Sequence, residues 1–193
     1  SRRLGYKELL ADGLYLEAFI YQRRSEMNVR ESDLESAKQD IDIAIEKAAE
    51  SLRLRTETLH EEAGETSACG YFLDLCVTHL LLAGLHLFRH TVNLSGDADD
   101  HYQFEKHLDK GYTLLEIRYE LYSESVEPDP NTRYCRACCQ AMSGTSVAPD
   151  DYFLTALQLQ PGLKYRASND FRFRPPVAKR EWVFERTIIG GEV

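Results

Sequence analysis

The residues with the most chemical potential are histidines and cysteines on one apolar stretch. At the helical repeat, Cys69, Cys76, His79, His86 and His90 fall within an arc of about 100°, with Ala83 between them. His86 and His90 stand four apart, one turn up the same face, close enough to share a metal ion. Zinc asks for neutral imidazoles or thiolates in a tetrahedron, at about 2.0 to 2.3 Å. The whole arc is roughly 30 Å long, so one ion cannot reach both ends. His86 and His90 are therefore the metal candidates, with their remaining ligands and second-shell partners to come from elsewhere. The structural alternative stands ahead of it: such residues populate the less buried face of a bundle helix, where histidines bond carboxylates.

A second group is Cys135, Cys138 and Cys139. A pair three apart can bind zinc or cycle redox states. Here the pair follows Glu-Pro-Asp-Pro-Asn-Thr, a helix start in which Asn131 or Thr132 is expected to cap. On that helix the three cysteines share one face, the pattern of a core stripe, and this reading is preferred. No glycine-rich phosphate loop, nucleophile elbow or His-Glu-x-x-His motif occurs, so nothing in the chain asks for an enzyme. No cofactor is expected.

A third group lies in the tail. Phe171, Arg172, Phe173 and Arg174 alternate, and Trp182 and Phe184 follow after Pro175-Pro176, among further arginines and lysines. Aromatic and arginine side chains together are enriched at interface anchors and on single-stranded nucleic-acid platforms. The alternation reads as short strands or an extended arm. Such an arm packs on the helices, with arginine stems along an apolar face, or grips a partner through those six residues.

The elements that must position these groups are mostly helices. Apolar residues from Leu9 to Tyr21 give a helix over about Tyr6 to Met27 with a broad stripe. A second helix follows Ser32, read as its N-cap with Glu35 completing a capping box, and runs to near Leu59. A third spans about Thr66 to Leu94, apolar on most sides, like the central member of a bundle. Asp74, three histidines and Arg89 argue that it is buried in protein and does not span a membrane. A fourth covers about Asp99 to Ser125, with aspartates in its first turn that suit the positive helix end. Shorter helices are expected over Asn131 to Met142 and Asp150 to Gln160. The expected organisation is a helical domain over 1–165 and an arm over 166–193.

The segment Asp151 to Pro161, small and apolar residues followed by Leu157-Gln158-Leu159-Gln160-Pro161, resembles the end of a tetratricopeptide second helix. Pro128 closes another helix 33 residues earlier, against a family period of about 34. Ala44-Ile45 through Leu52-Arg53-Leu54 has a similar cadence. The resemblance covers about a third of the chain and implies a concave surface that grips a partner segment. The expected fold class is thus mainly α: an antiparallel bundle or a short tetratricopeptide-like array, with a C-terminal extended or β arm.

The formal net charge of −9, from 32 acidic and 23 basic residues, repels phosphate backbones. It is uneven: residues 97–129 carry ten acids against three bases, and 162–193 carry seven bases against four acids. Nucleic acid is disfavoured as a partner and a membrane is not expected. The expected partner is another protein or a second copy of the chain, in a scaffold or regulatory role. Five closely spaced cysteines do not form a disulfide framework, so they are read as reduced, in the cytoplasm or nucleus. No signal peptide is read at Ser1 to Asp12, and a start without methionine suggests a fragment.

Overall fold

The computed structural model describes residues 2–61, 68–94, 99–121, 129–144, 157, 160–173 and 177. The fold is mainly α. The elements are α1 (Arg2–Arg30), α2 (Leu34–Glu61), α3 (Ala68–Thr91), α4 (Asp99–Leu121), α5 (Pro130–Ser143), α6 (Pro161–Asn169) and a 3-10 turn (Phe171–Phe173). No strand occurs among the described residues. The chain forms two compact units, Ser1–Leu114 and Leu115–Val193. The expected boundary at 165 falls inside α6.

In the first unit, α1 and α2 form a hairpin whose connection is short because one residue serves both helices. Ser32 takes a left-handed backbone with φ 64°. Its N–H reaches the Val29 carbonyl, while the Asp33 N–H reaches that of Asn28, closing α1 in a Schellman motif. Asp33 then caps α2, its Oδ1 accepting the Ser36 N–H at 3.1 Å, and that bonding lowers its carboxyl pKa. The cap expected at Ser32 is therefore one residue later, because Ser32 is spent on ending α1.

The helices of the hairpin approach closely because their facing positions are small. Ala11, Ala18 and Ser25 of α1 are buried, as are Ala37, Ala44, Ala48 and Ser51 of α2. The Ser25 hydroxyl donates to the Ala37 carbonyl and that of Ser51 to the Ala11 carbonyl, each at 2.7 Å. These two bonds fix an antiparallel register. α3 packs on α2, and Arg55 ties three helices together: it bonds Asp12 of α1 and both the Asp74 carbonyl and the Thr78 hydroxyl of α3.

From Leu80 to Phe88 every residue of α3 is buried, and His86 is the one polar side chain among them, as a central helix should be. Each fully buried leucine there contributes about 1.5–3 kcal/mol. The window Tyr71–Thr91 is long and apolar enough to cross a membrane by length and composition, and 67% of it is buried within the protein. α4 runs antiparallel to α3 and lies tight against it at Gly111. A Cβ there would stand 2.7 Å from Leu80 Cδ2 and 3.0 Å from its Cγ.

The second unit is built on α5 and the segment after α6. Asp129, not Asn131 or Thr132, caps α5: its Oδ1 accepts the N–H groups of both those residues, and Pro130 takes the first helical position. Arg118, at the end of α4, holds the cap through Asp129 Oδ2 and the Thr132 hydroxyl, both at 2.6 Å. Cys135, Cys138 and Cys139 are buried thiols on one face of α5, as a core stripe. Pro161, read from sequence as a stop, instead begins α6. Most of the helix expected over 150–160 lies outside the described residues.

Candidate functional site

Helix α1 carries two seams, each with the alternating three- and four-residue spacing of a coiled coil. Ala11, Tyr15, Ala18, Gln22 and Ser25 form one, and they are buried against the hairpin. Tyr6, Leu9, Gly13, Leu16, Ile20, Arg23 and Met27 form the other, and every one of them is exposed. At about 100° per residue the two seams lie on opposite sides of the helix. Tyr6, Leu9, Leu16, Ile20 and Met27 are 68, 73, 61, 60 and 51% exposed, with Leu10 beside them. A Cβ on Gly13 would meet nothing within 4 Å. Leu9, Leu16, Ile20 and Met27 of α1 thus face solvent, while Ala11, Ala18 and Ser25 face the core beside Tyr15. The outer seam extends for about 30 Å.

The hairpin fixes this seam in place. Ion pairs from Lys47 to Glu17 at 2.9 Å and from Arg24 to Asp40 at 3.3 Å cross from α2 to α1. Arg55 lies over the Tyr15 ring at 5.1 Å from the inner side. The helix is therefore held in one rotation, with its outer seam directed away from α2.

The histidine face of α3 is drawn into the contact with α4. His86 Nδ1 lies 2.8 Å from Oδ1 of the fully buried Asp100. Arg89 grips the same carboxylate through Nε and Nη2, and reaches Asp42 of α2 at 2.5 Å. His90 is exposed on the next turn, its ring 5.7 Å from that of His101. His86 and His90 therefore face different partners. Among the described residues no three His, Cys, Asp or Glu side chains converge to hold a metal ion.

Two turns earlier on α3, His79 Nδ1 and His107 Nδ1 are 2.8 Å apart, and the His107 ring stacks on that of His86 with centroids 6.0 Å apart. Two nitrogens at that distance need one N–H and one lone pair, so at least one of the two rings is neutral. Burial lowers the His79 pKa to about 4, helped by Lys110 and Lys106. Burial also lowers that of His107 to about 3, helped by His79, His86 and Lys106. For His86, burial outweighs the opposing pull of Asp100, and its pKa is lowered. This set stabilises the α3/α4 contact and presents no basic group near neutral pH.

The tail residues expected to meet a partner divide in two. Phe171, Arg172 and Phe173 are 1, 1 and 3% exposed and form the 3-10 turn, not an extended strand. Arg172 is turned inward by Asp170, whose Oδ1 accepts from both the Arg172 backbone N–H and Nε. Asp170 Oδ2 accepts from the Tyr134 hydroxyl at 2.6 Å. Phe173 meets the Tyr134 ring edge-on at 5.5 Å, and Arg166 lies over that ring at 4.6 Å. A buried aspartate at the start of the turn thus makes Phe-Arg-Phe part of the core. Arg174, Trp182 and Phe184 lie outside the described residues.

Sequence reading merged the two faces of α1 into one broad stripe. The signal that separates them is size: Leu, Ile and Met recur in one register, Ala and Ser in the other. The His79–His107 pair was also missed, because His107 lies on a different helix. Comparison with family models, characterised proteins and solved structures finds no match.

Proposed function

We propose that this chain is a protein-interaction module that receives an α-helix of its partner on the outer seam of α1. The single observation behind this reading is the coiled-coil spacing of Tyr6, Leu9, Gly13, Leu16, Ile20, Arg23 and Met27, all of them exposed. A strict three-four repeat is narrower than the apolar face of a helix on a globular core, and it suits one facing helix. Exposed apolar patches of this size mark interaction sites in soluble proteins. The acidic surface disfavours nucleic acid, and the four buried cysteine thiols, Cys76, Cys135, Cys138 and Cys139, fit a reducing cytoplasmic or nuclear setting. A scaffold or regulatory role fits a rigid hairpin that presents one edge.

The test is photo-crosslinking in cells from a reactive residue at position 20, compared with one at position 43 on the opposite hairpin arm. The reading gives discrete protein adducts from position 20 that disappear when Leu9 and Leu16 are changed to Glu. Adducts that are equal from both positions, or that survive those changes, contradict it.

A further inference from the structure

The outer seam of α1 is complementary to itself. Reflected about residue 18, Leu9 falls opposite Met27, Leu16 opposite Ile20, and Gly13 opposite Arg23. The one charged seam residue thus meets the one seam residue without a side chain. The open space over Gly13 gives room for an arginine stem. Beside Gly13 stands Asp12, whose side chain is 63% exposed while it bonds Arg55, so it can accept a second guanidinium. Arg23 is 48% exposed and bonds only its neighbour Glu26 among the ion pairs of the described residues, at 3.2 Å. Shape and charge therefore match when a second α1 runs in the opposite direction.

The parallel arrangement matches neither. It sets Gly13 against Gly13, leaving a gap, and Arg23 against Arg23, placing like charges together in an apolar seam. A polar residue at one seam position is a known device for selecting register and orientation.

Resting on the reading of the seam as a helix-docking surface, we infer that its occupant is a second copy of this chain, paired antiparallel through α1 as a two-fold dimer. The interface is isologous, so every contact occurs twice.

Light scattering and disulfide trapping test this together on the full chain. Intact protein should have the mass of two chains, twice 22.2 kDa. Leu16→Glu with Ile20→Glu should weaken the dimer by roughly a hundredfold or more, through lost apolar layers and like charges. Helicity by circular dichroism should be unchanged, since both side chains are exposed. Under mild oxidant, a mixture of Leu9→Cys and Met27→Cys chains should cross-link, whereas Leu9→Cys chains alone should not. A monomer at high concentration overturns the inference, as does a dimer that survives the double change or Leu9→Cys pairing with itself. If the chain is monomeric but crosslinks from position 20 still depend on Leu9 and Leu16, only the second-copy occupant is refuted. If those crosslinks are absent too, the docking surface falls with it.

Discussion

Asp170 shows how much a single side chain decides. Burial pushes its pKa up, but the Arg172 guanidinium, with hydrogen bonds from Arg172 and Tyr134, outweighs this and holds it below the usual carboxylate value. A carboxylate whose folded pKa is depressed stabilises the fold above its unfolded pKa, and that support is lost as pH falls through the folded value. Asp170→Asn keeps the shape but removes the carboxylate charge with which Arg172, 1% exposed, is paired. The expected loss is about 3–5 kcal/mol, read by denaturant melting of the second unit's signal. In the sequence, Phe-Arg-Phe looks like alternating strand with its arginines exposed. That pattern is ambiguous because the partner that turns Arg172 inward is only two residues away, while the hydroxyl completing the site comes from Tyr134, 36 residues earlier in the chain. By contrast, Cys135, Cys138 and Cys139 were legible as core, since their helical spacing alone places them together.

At the scale of elements, α3 was recognisable as a central helix, and its burial follows from apolar residues on nearly every side. Its pairing with α4 was not recognisable, because periodicity identifies faces but not which face meets which. That pairing has a pH signature. His79 and His107 have folded pKa values of about 4 and about 3, below the ordinary histidine value, so the unfolded chain binds more protons in acid. Stability is therefore level above about pH 6.5 and falls as pH drops from there toward 4 and 3. Both rings are partly solvated, which reduces the effect to about 1 kcal/mol per histidine at pH 5. The groups around them are His86, Asp100, Arg89, Lys106 and Lys110, and the carboxylate offsets only part of the cost at His86. Replacing His79 and His107 together by Gln should flatten the melting temperature between pH 7 and 5. An unchanged slope would place the acid sensitivity elsewhere. The cap of α2 carries a similar lesson about sequence: Ser32 and Asp33 are both good caps, and only the left-handed turn that ends α1 decides between them.

At the scale of the whole molecule, the mainly α character was plain from periodicity, and the first unit is the antiparallel bundle that the long helical stretches imply. The division at Leu114 and Leu115 falls within α4 and has no compositional mark, so linker-seeking could not find it. The functional reading rests on the arrangement of α1: Ala11, Ala18 and Ser25 pack the hairpin beside Tyr15, and Leu9, Leu16, Ile20 and Met27 are left outside. A chain that folded for itself alone would bury Leu16 and Ile20 before Ala11 and Ala18, since burial stabilises in proportion to apolar area. The most direct measurement is radical footprinting of the chain inside cells, comparing Leu16, Ile20 and Met27 with Tyr102, a side chain of similar exposure outside the seam. The account predicts strong protection of the three seam residues relative to Tyr102, and loss of protection at Ile20 and Met27 when Leu9 and Leu16 are changed to Glu. Seam residues labelled as readily as their exposure in the free chain implies would contradict it.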